Sequence, residues 1–244
     1  EDWNVFTMSY HTYLTWMKNM LELDSEMVIF TEEKMFKRIF DMRSAIDPKM
    51  DKTKIIVQEL KDIPAYKLYY TRLENLMQTP SFIGKTSFNV PEMTRPLYNV
   101  LMFNKMYWLR HVRDMRFFEN DSTVWVDAGC YRDDKIDLYG RVWPTPNKIN
   151  DDKITFFSHH KEISIHDIEH HALSQMRFIH GTCFAVPNIC LDTFIDEVEE
   201  TIDTSIKNGY IGSDEKMFDI TYLKDPSAYT LIKCSWREYF PFFL

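Results

Sequence analysis

The clearest chemical signal in the 244 residues is the run Val124-Trp125-Val126-Asp127-Ala128-Gly129-Cys130-Tyr131-Arg132. A short apolar strand delivers the Asp127 carboxylate to a glycine turn, with the fixed positive charge of Arg132 just beyond. Such pieces suit a nucleotide diphosphate, whose negative charge must be neutralised by a carboxylate-held divalent ion, or by Arg or Lys, before the nucleotide can leave. The competing reading is local: an Asp that starts a turn, Gly129 at positive φ, and Arg132 in solvent. Upstream, Lys105 lies four residues after Leu101 and three before Trp108, at the border of an apolar helical stripe. Its stem can lie on a sheet there while its ammonium reaches a cleft and pairs with a phosphate. Asn104 falls on the buried stripe and needs a hydrogen-bond partner. Arg95, just ahead of Pro96, is a candidate of the same kind as Lys105.

Two further clusters carry possible chemistry. In Gly212-Ser213-Asp214-Glu215 one helix has ended and another opens, so Ser213 is a natural N-cap and the two acids suit the helix dipole. Five of the eight histidines lie between His159 and His171. His166 and His170 stand four apart, a spacing at which two imidazoles on one helix can meet one metal. With Asp167 or Asp127 they make a rival hypothesis, a metal-dependent hydrolase, although the glutamate of His-Glu-x-x-His is absent. Cys130, Cys183, Cys190 and Cys234 show neither a close paired spacing nor the density of a disulfide scaffold, which points to reduced thiols. Gly-x-Gly-x-x-Gly, the Walker phosphate loop and Gly-x-Ser-x-Gly are all absent.

The elements that must position these residues can be read from periodicity. Apolar steps of three and four from Met8 to Leu23 give a helix, and Met27-Val28-Ile29-Phe30 a buried strand, with Thr31 expected to cap the helix that follows. Lys54–Val57 repeats the strand pattern and Ile63–Met77 the helix pattern. A loop is expected over Pro80–Pro91, then one long helix from Met93 to Val112. Strands follow at 124–126, 154–157 and 182–186, a helix at 191–206 closed by Asn208-Gly209, a short helix from Ser213 and a final strand at 229–232. Strands alternating with helices give an α/β layer fold with a mixed, mostly parallel sheet flanked by helices, in a single domain over residues 1–244. Since such domains commonly open on a strand, one is expected to precede Glu1.

Composition narrows the function classes. With 45% apolar and 27% charged residues the chain is neither disordered nor low in complexity. A net charge of -8 disfavours nucleic acid as a partner. No window approaches the roughly 20 apolar residues of a membrane helix, and Glu1-Asp2-Trp3-Asn4 does not start a signal peptide, so a soluble, cytoplasmic protein is expected. The 15% aromatic content, including Trp143, Trp236 and Tyr239-Phe240-Pro241-Phe242-Phe243, reads mostly as core.

The segments Tyr13-Leu14-x-Trp16 to Met27-Val28-Ile29-Phe30-Thr31, Pro96-Leu97-Tyr98 with Asn104-Lys105, and Trp125-Val126-Asp127-x-Gly129 together resemble the HtrL/YibB (WlaTC) family. The resemblance implies a glycosyltransferase-like protein with a GT-A type domain. It places Asp127 at the usual Asp-x-Asp motif, with Gly129 where the second acid would stand. It implies a nucleotide-sugar donor, such as a UDP-sugar, a divalent cation (Mn²⁺ or Mg²⁺) on Asp127, and a glycan or glycoprotein acceptor. Asp127, Gly129, Arg132, Lys105 and Arg95 would then face the donor. Asp214 or Glu215 would be the general base that takes the acceptor proton in an inverting transfer. His180-Gly181-Thr182-Cys183-Phe184 resembles an acceptor-side loop. The family pattern also carries a strand ending in a Gly-Arg turn just before Asp2-Trp3. A noncatalytic sugar-nucleotide-binding module is the other alternative to the hydrolase.

Overall fold

The computed structural model describes residues 9–86, 89–132, 137–145, 148–149, 152–235 and 238–244, so Asp2-Trp3 and Trp236 lie outside the described residues. Helix α1 (Tyr10–Leu21) starts at Ser9, whose side chain accepts from the Thr12 N–H. Strand β1 (Met27–Thr31), helix α2 (Glu33–Arg43), strand β2 (Thr53–Val57) and helix α3 (Pro64–Met77) follow as their patterns require. Thr31 ends the strand rather than capping α2, and the cap position falls to Glu32.

The expected loop after α3 contains helix α4 (Pro80–Lys85), which Thr79 caps through Phe82 N–H. The expected long helix is three helices, α5 (Pro91–Thr94), α6 (Pro96–Phe103) and α7 (Lys105–Met115). Each of α3 to α6 opens on proline, whose fixed φ and missing N–H suit a first helical position. The break between α6 and α7 falls at Asn104, whose side-chain oxygen accepts the N–H of Ala65 at the start of α3. The amide oxygen has thus found its partner in the core, while the buried Nδ2 has none.

Then come strands β3 (Ser122–Val126) and β4 (Ile154–Ser158), helix α8 (Ile168–Leu173), strand β5 (Ile179–Pro187), helices α9 (Leu191–Lys207) and α10 (Asp214–Tyr222) and strand β6 (Tyr229–Lys233). The fold is mixed α/β. A parallel pair joins β1 to β2, and a four-stranded sheet runs β3-β5-β4-β6. In it β5 is antiparallel to both β3 and β4, and only β4 and β6 are parallel. The mostly parallel sheet expected from the element order is therefore corrected. Strand β5 alone runs against β3, β4 and β6, and because it lies between β3 and β4 both of its pairings are antiparallel.

Phe156 and Phe184 point from β4 and β5 into the larger core, against Phe194 and Phe218 of α9 and α10. Their sequence neighbours Phe157, Cys183 and Ala185 point the other way, into a smaller core with Met20, Trp143, Tyr239, Phe240 and Phe243. This period-two alternation with both faces covered explains the continuous apolar runs. Gly209, at φ +81, ends α9 as expected. Asp219 of α10 accepts from Phe178 N, Ile179 N and His171, so α8, α10 and the start of β5 are pinned together. Among the described residues no helix is long and apolar enough to cross a membrane.

Arg43 fixes α1 to the first strand pair. It is fully buried, donates to the carbonyls of Leu21, Leu23 and Ser25, and reaches Thr53 Oγ1, which itself donates to Asp47. Arg43→Met orphans three carbonyls and leaves Asp47 without its cation. It is expected to cost about 3–5 kcal/mol, the range for removing one partner of a buried charged network, read from the urea unfolding midpoint.

Candidate functional site

The site is built around one buried ammonium. Lys105, the first residue of α7, is 1% exposed. Its Nζ donates to Asp214 Oδ2 at 2.7 Å and to the Gly181 carbonyl at 2.8 Å, and lies 3.1 Å from Asp127 Oδ1. Burial alone would lower its proton affinity, but the two carboxylates outweigh burial and hold it above the ordinary lysine value. The ammonium, expected to reach a cleft, stays inside, with its charge shared between two acids. Both acids are residues the sequence had singled out, 87 positions apart, and the fold brings them to one cation.

Asp127 leaves the carboxyl end of β3. Its Oδ1 accepts from Trp125 Nε1 at 2.7 Å, while Oδ2, 3.4 Å from Lys105, is the less engaged oxygen. Burial raises its proton affinity and Lys105 opposes that. Asp127 lines a cavity of about 260 Å³ together with Tyr13, Tyr98, Met102, Gly129, Cys130, Arg132, Thr182 and Tyr239. Gly129 is not at positive φ. Its value is close approach, since a Cβ there would lie 3.0 Å from the Tyr13 ring. Arg132 is not loose in solvent: Nε donates to the Gly129 carbonyl at 2.6 Å and the guanidinium stacks 4.1 Å over Trp16. That preorganises a cation at the cavity wall.

Ser213, Asp214 and Glu215 depart from plain capping. Ser213 holds the N-cap position without a side-chain capping bond, and its buried hydroxyl has no partner. Asp214 is committed to Lys105, and Glu215 Oε1 accepts the Gly181 N–H at 3.3 Å. The Gly181 peptide therefore joins the two halves of the site, with its oxygen on Lys105 and its nitrogen on Glu215. Burial, against the pull of Arg177, raises the Glu215 pKa to about 7. A carboxyl poised there can accept or donate a proton near neutrality.

Other expectations fare differently. Arg95 does not join the cavity; it lines a neighbouring groove with Leu60, Tyr70, Leu97 and Leu101, separated by Tyr98, which borders both. His180-Gly181-Thr182 lies inside β5 rather than in a loop. His166 precedes α8 and so does not share a helix with His170, whose N–H is capped by Asp167. Among the described residues no group of three or more His, Cys, Asp or Glu could hold a metal ion. The sequence reasoning missed Trp125 as the brace of Asp127, and it missed Arg177 and Glu92, which pair with each other at 2.6 Å. Trp125 two residues before the acid was a usable signal; the other pair, 85 residues apart, gave none.

The family described as "Bacterial protein of unknown function (HtrL_YibB)" matches residues 1–244, and the chain belongs to it. The chain is also 20% identical to Protein HtrL of Escherichia coli (strain K12) over 241 residues, covering 96% of this chain and 81% of that protein. No solved structure matches it.

Two outcomes follow from this packing. A Cβ on Gly181 would come 2.5 Å from Asp214 Oδ2, so Gly181→Ala is expected to displace Asp214 from Lys105 and to cost about 1–3 kcal/mol. Gly84→Ala, with nothing within 4 Å, is the neutral or stabilising control in the same thermal unfolding assay. The second concerns charge. The folded pKa of Glu215 lies above its unfolded value, so the folded state binds the extra proton, and this stability is present at low pH and lost as pH rises towards 7. Glu215→Gln should therefore raise Tm at pH 8 by about 2–4 °C, the scale of 1 kcal/mol in a chain of this size, and change it little at pH 4.

Proposed function

We propose that the chain is a glycosyltransferase with a GT-A type domain, moving a hexosyl or pentosyl unit from a nucleotide-diphospho-sugar, a UDP-sugar first among those to test, to a hydroxyl of a glycan or glycoprotein. The observation that carries the reading is the Asp127–Lys105–Asp214 cluster at the carboxyl end of β3, with a cavity and Arg132 on one side and Glu215 on the other. Ligands of open α/β sheets bind outside the carboxyl ends of strands.

Charge arithmetic supports a diphosphate with a divalent partner. Lys105 against Asp127 and Asp214 leaves one net negative charge. A diphosphate entering beside this cluster needs further positive charge. The less engaged Asp127 oxygen is a hard donor that suits Mg²⁺ or Mn²⁺. Asp127 would hold such an ion, with the diphosphate supplying most of the remaining oxygens, and the ion would stabilise the leaving group.

The chain's own residues divide the remaining work. Trp125 and Lys105 fix the Asp127 carboxylate, so it need not reorganise when charge develops. Arg132, stacked on Trp16, offers a fixed donor at the cavity wall. Tyr13, Tyr98 and Tyr239 narrow the cavity and exclude water. Glu215, held by the Gly181 N–H, is the base that takes the acceptor proton, while Asp214 keeps Lys105 charged and in place.

Isothermal titration with a panel of nucleoside diphosphates and their sugars, with and without Mn²⁺, is expected to show binding for one base class, tightened by the ion. No binding by any of them would overturn the reading. Asp127→Asn retains the turn and the Trp125 contact, so it should fold normally and lose sugar transfer by about 10²-fold or more, the scale of one preorganised electrostatic contact. Wild-type transfer in that variant would place the site elsewhere.

A further inference from the structure

Glu215 is held from a second side by a charge chain that the donor-side cluster does not use. Its Oε2 lies 3.2 Å from Arg177 Nη1, and Arg177 Nη2 donates to Glu92 Oε1 at 2.6 Å. The three residues come from α10, from the segment entering β5, and from α5. Glu92 is 4% exposed, and Asn99 of α6 donates to its backbone carbonyl at 2.8 Å, so its position is fixed from below. Arg177 is thus shared unequally, with its shorter contact to the more buried acid.

Unequal sharing has a definite electrostatic result. An arginine given wholly to Glu215 would hold that carboxylate firmly ionised and make it a poor proton acceptor. An arginine absent altogether would leave a buried carboxyl that stays protonated. The Glu92 carboxylate opposes part of the guanidinium's charge, so Glu215 keeps an oriented ion pair with only part of the pull. The other groups facing Glu215 are Asp214, Lys105 and the Gly181 N–H, with Lys216 on its own helix and the Tyr98 hydroxyl on α6.

We propose that Arg177 and Glu92 are positioning residues for the Glu215 carboxylate, Arg177 aiming it and Glu92 setting how much of Arg177's charge it receives. The proposal rests on the reading of Glu215 as the base. It does not depend on which sugar or acceptor is used.

The experiment is a ¹³C-carboxyl NMR titration of the full chain labelled at glutamate, nucleotide-free, from pH 4 to 9, with Glu215→Gln assigning the resonance. Arg177→Gln is expected to raise the Glu215 midpoint by about one unit or more, the effect of losing a cation at this distance. Glu92→Gln is expected to lower it by a similar amount, because the freed arginine then serves Glu215 alone. Arg177→Lys, which keeps the charge, should leave the midpoint near that of the unaltered chain, and it carries the test together with Glu92→Gln should Arg177→Gln fail to fold. A structural role alone would not move the midpoint in opposite directions. Shifts of the same sign, or midpoints within about 0.3 unit of each other, overturn the proposal. The acidic limb of the pH profile for donor turnover should follow the NMR midpoints. If the midpoints move oppositely and that limb stays fixed, the charge chain stands as drawn and the base assignment falls.

Discussion

Taking an ammonium out of water costs several kcal/mol unless every proton finds an oxygen and the charge finds a partner. Lys105 meets that demand with ligands from three places: the end of β3, the middle of β5 and the first residue of α10. Much of the local structure is what this demand requires. Helix α7 must begin at Lys105 and not earlier, so the chain breaks at Asn104 and ties the break to α3. Helix α10 begins with an acid, Asp214, that reaches the ammonium. Residue 181 must carry no side chain, because Asp214 occupies the space a Cβ would take.

The cluster also divides the site into two regions of different electrostatic character. On the cavity side the carboxylate of Asp127 is braced and Arg132 is clamped against an indole, so charge there is fixed in direction and sign. On the far side Glu215 lies near its own midpoint at neutral pH. A fixed region suits recognition of a charged group, and a poised one suits proton transfer. Tyr98 stands between the cavity and the apolar groove that holds Arg95.

The sequence was most informative where order is local. The continuous apolar runs of β1, β3, β4 and β6 and the three-four spacing of α1, α3 and α9 carry their own signatures, and Asp127, Lys105 and the Asp214-Glu215 pair drew notice through strand ends and helix starts. It was least informative where distant segments meet. Helix α4 spans only six residues, too short for a periodic signal. The antiparallel course of β5 depends on connections, not composition: among the described residues no helix links β3 to β4, and a six-residue helix alone lies between β4 and β5. A run of histidines looked like a metal motif because spacing cannot show that α8 begins only at Ile168. Glu92 and Arg177 are invisible as a pair, since nothing along the chain tells an arginine which of many acids it will reach.

The cluster around Lys105 has a consequence for how such a chain can change over time. Neutralising the lysine strands two like charges together, and neutralising either acid shifts the balance of the other two. Single steps at 105 or 214 therefore leave a buried charge short of its partner, whereas the stacked and half-exposed Phe36 and Phe40 carry no such coupling. The three positions form an epistatic unit, in which the effect of a change at one depends on which residue stands at the other two.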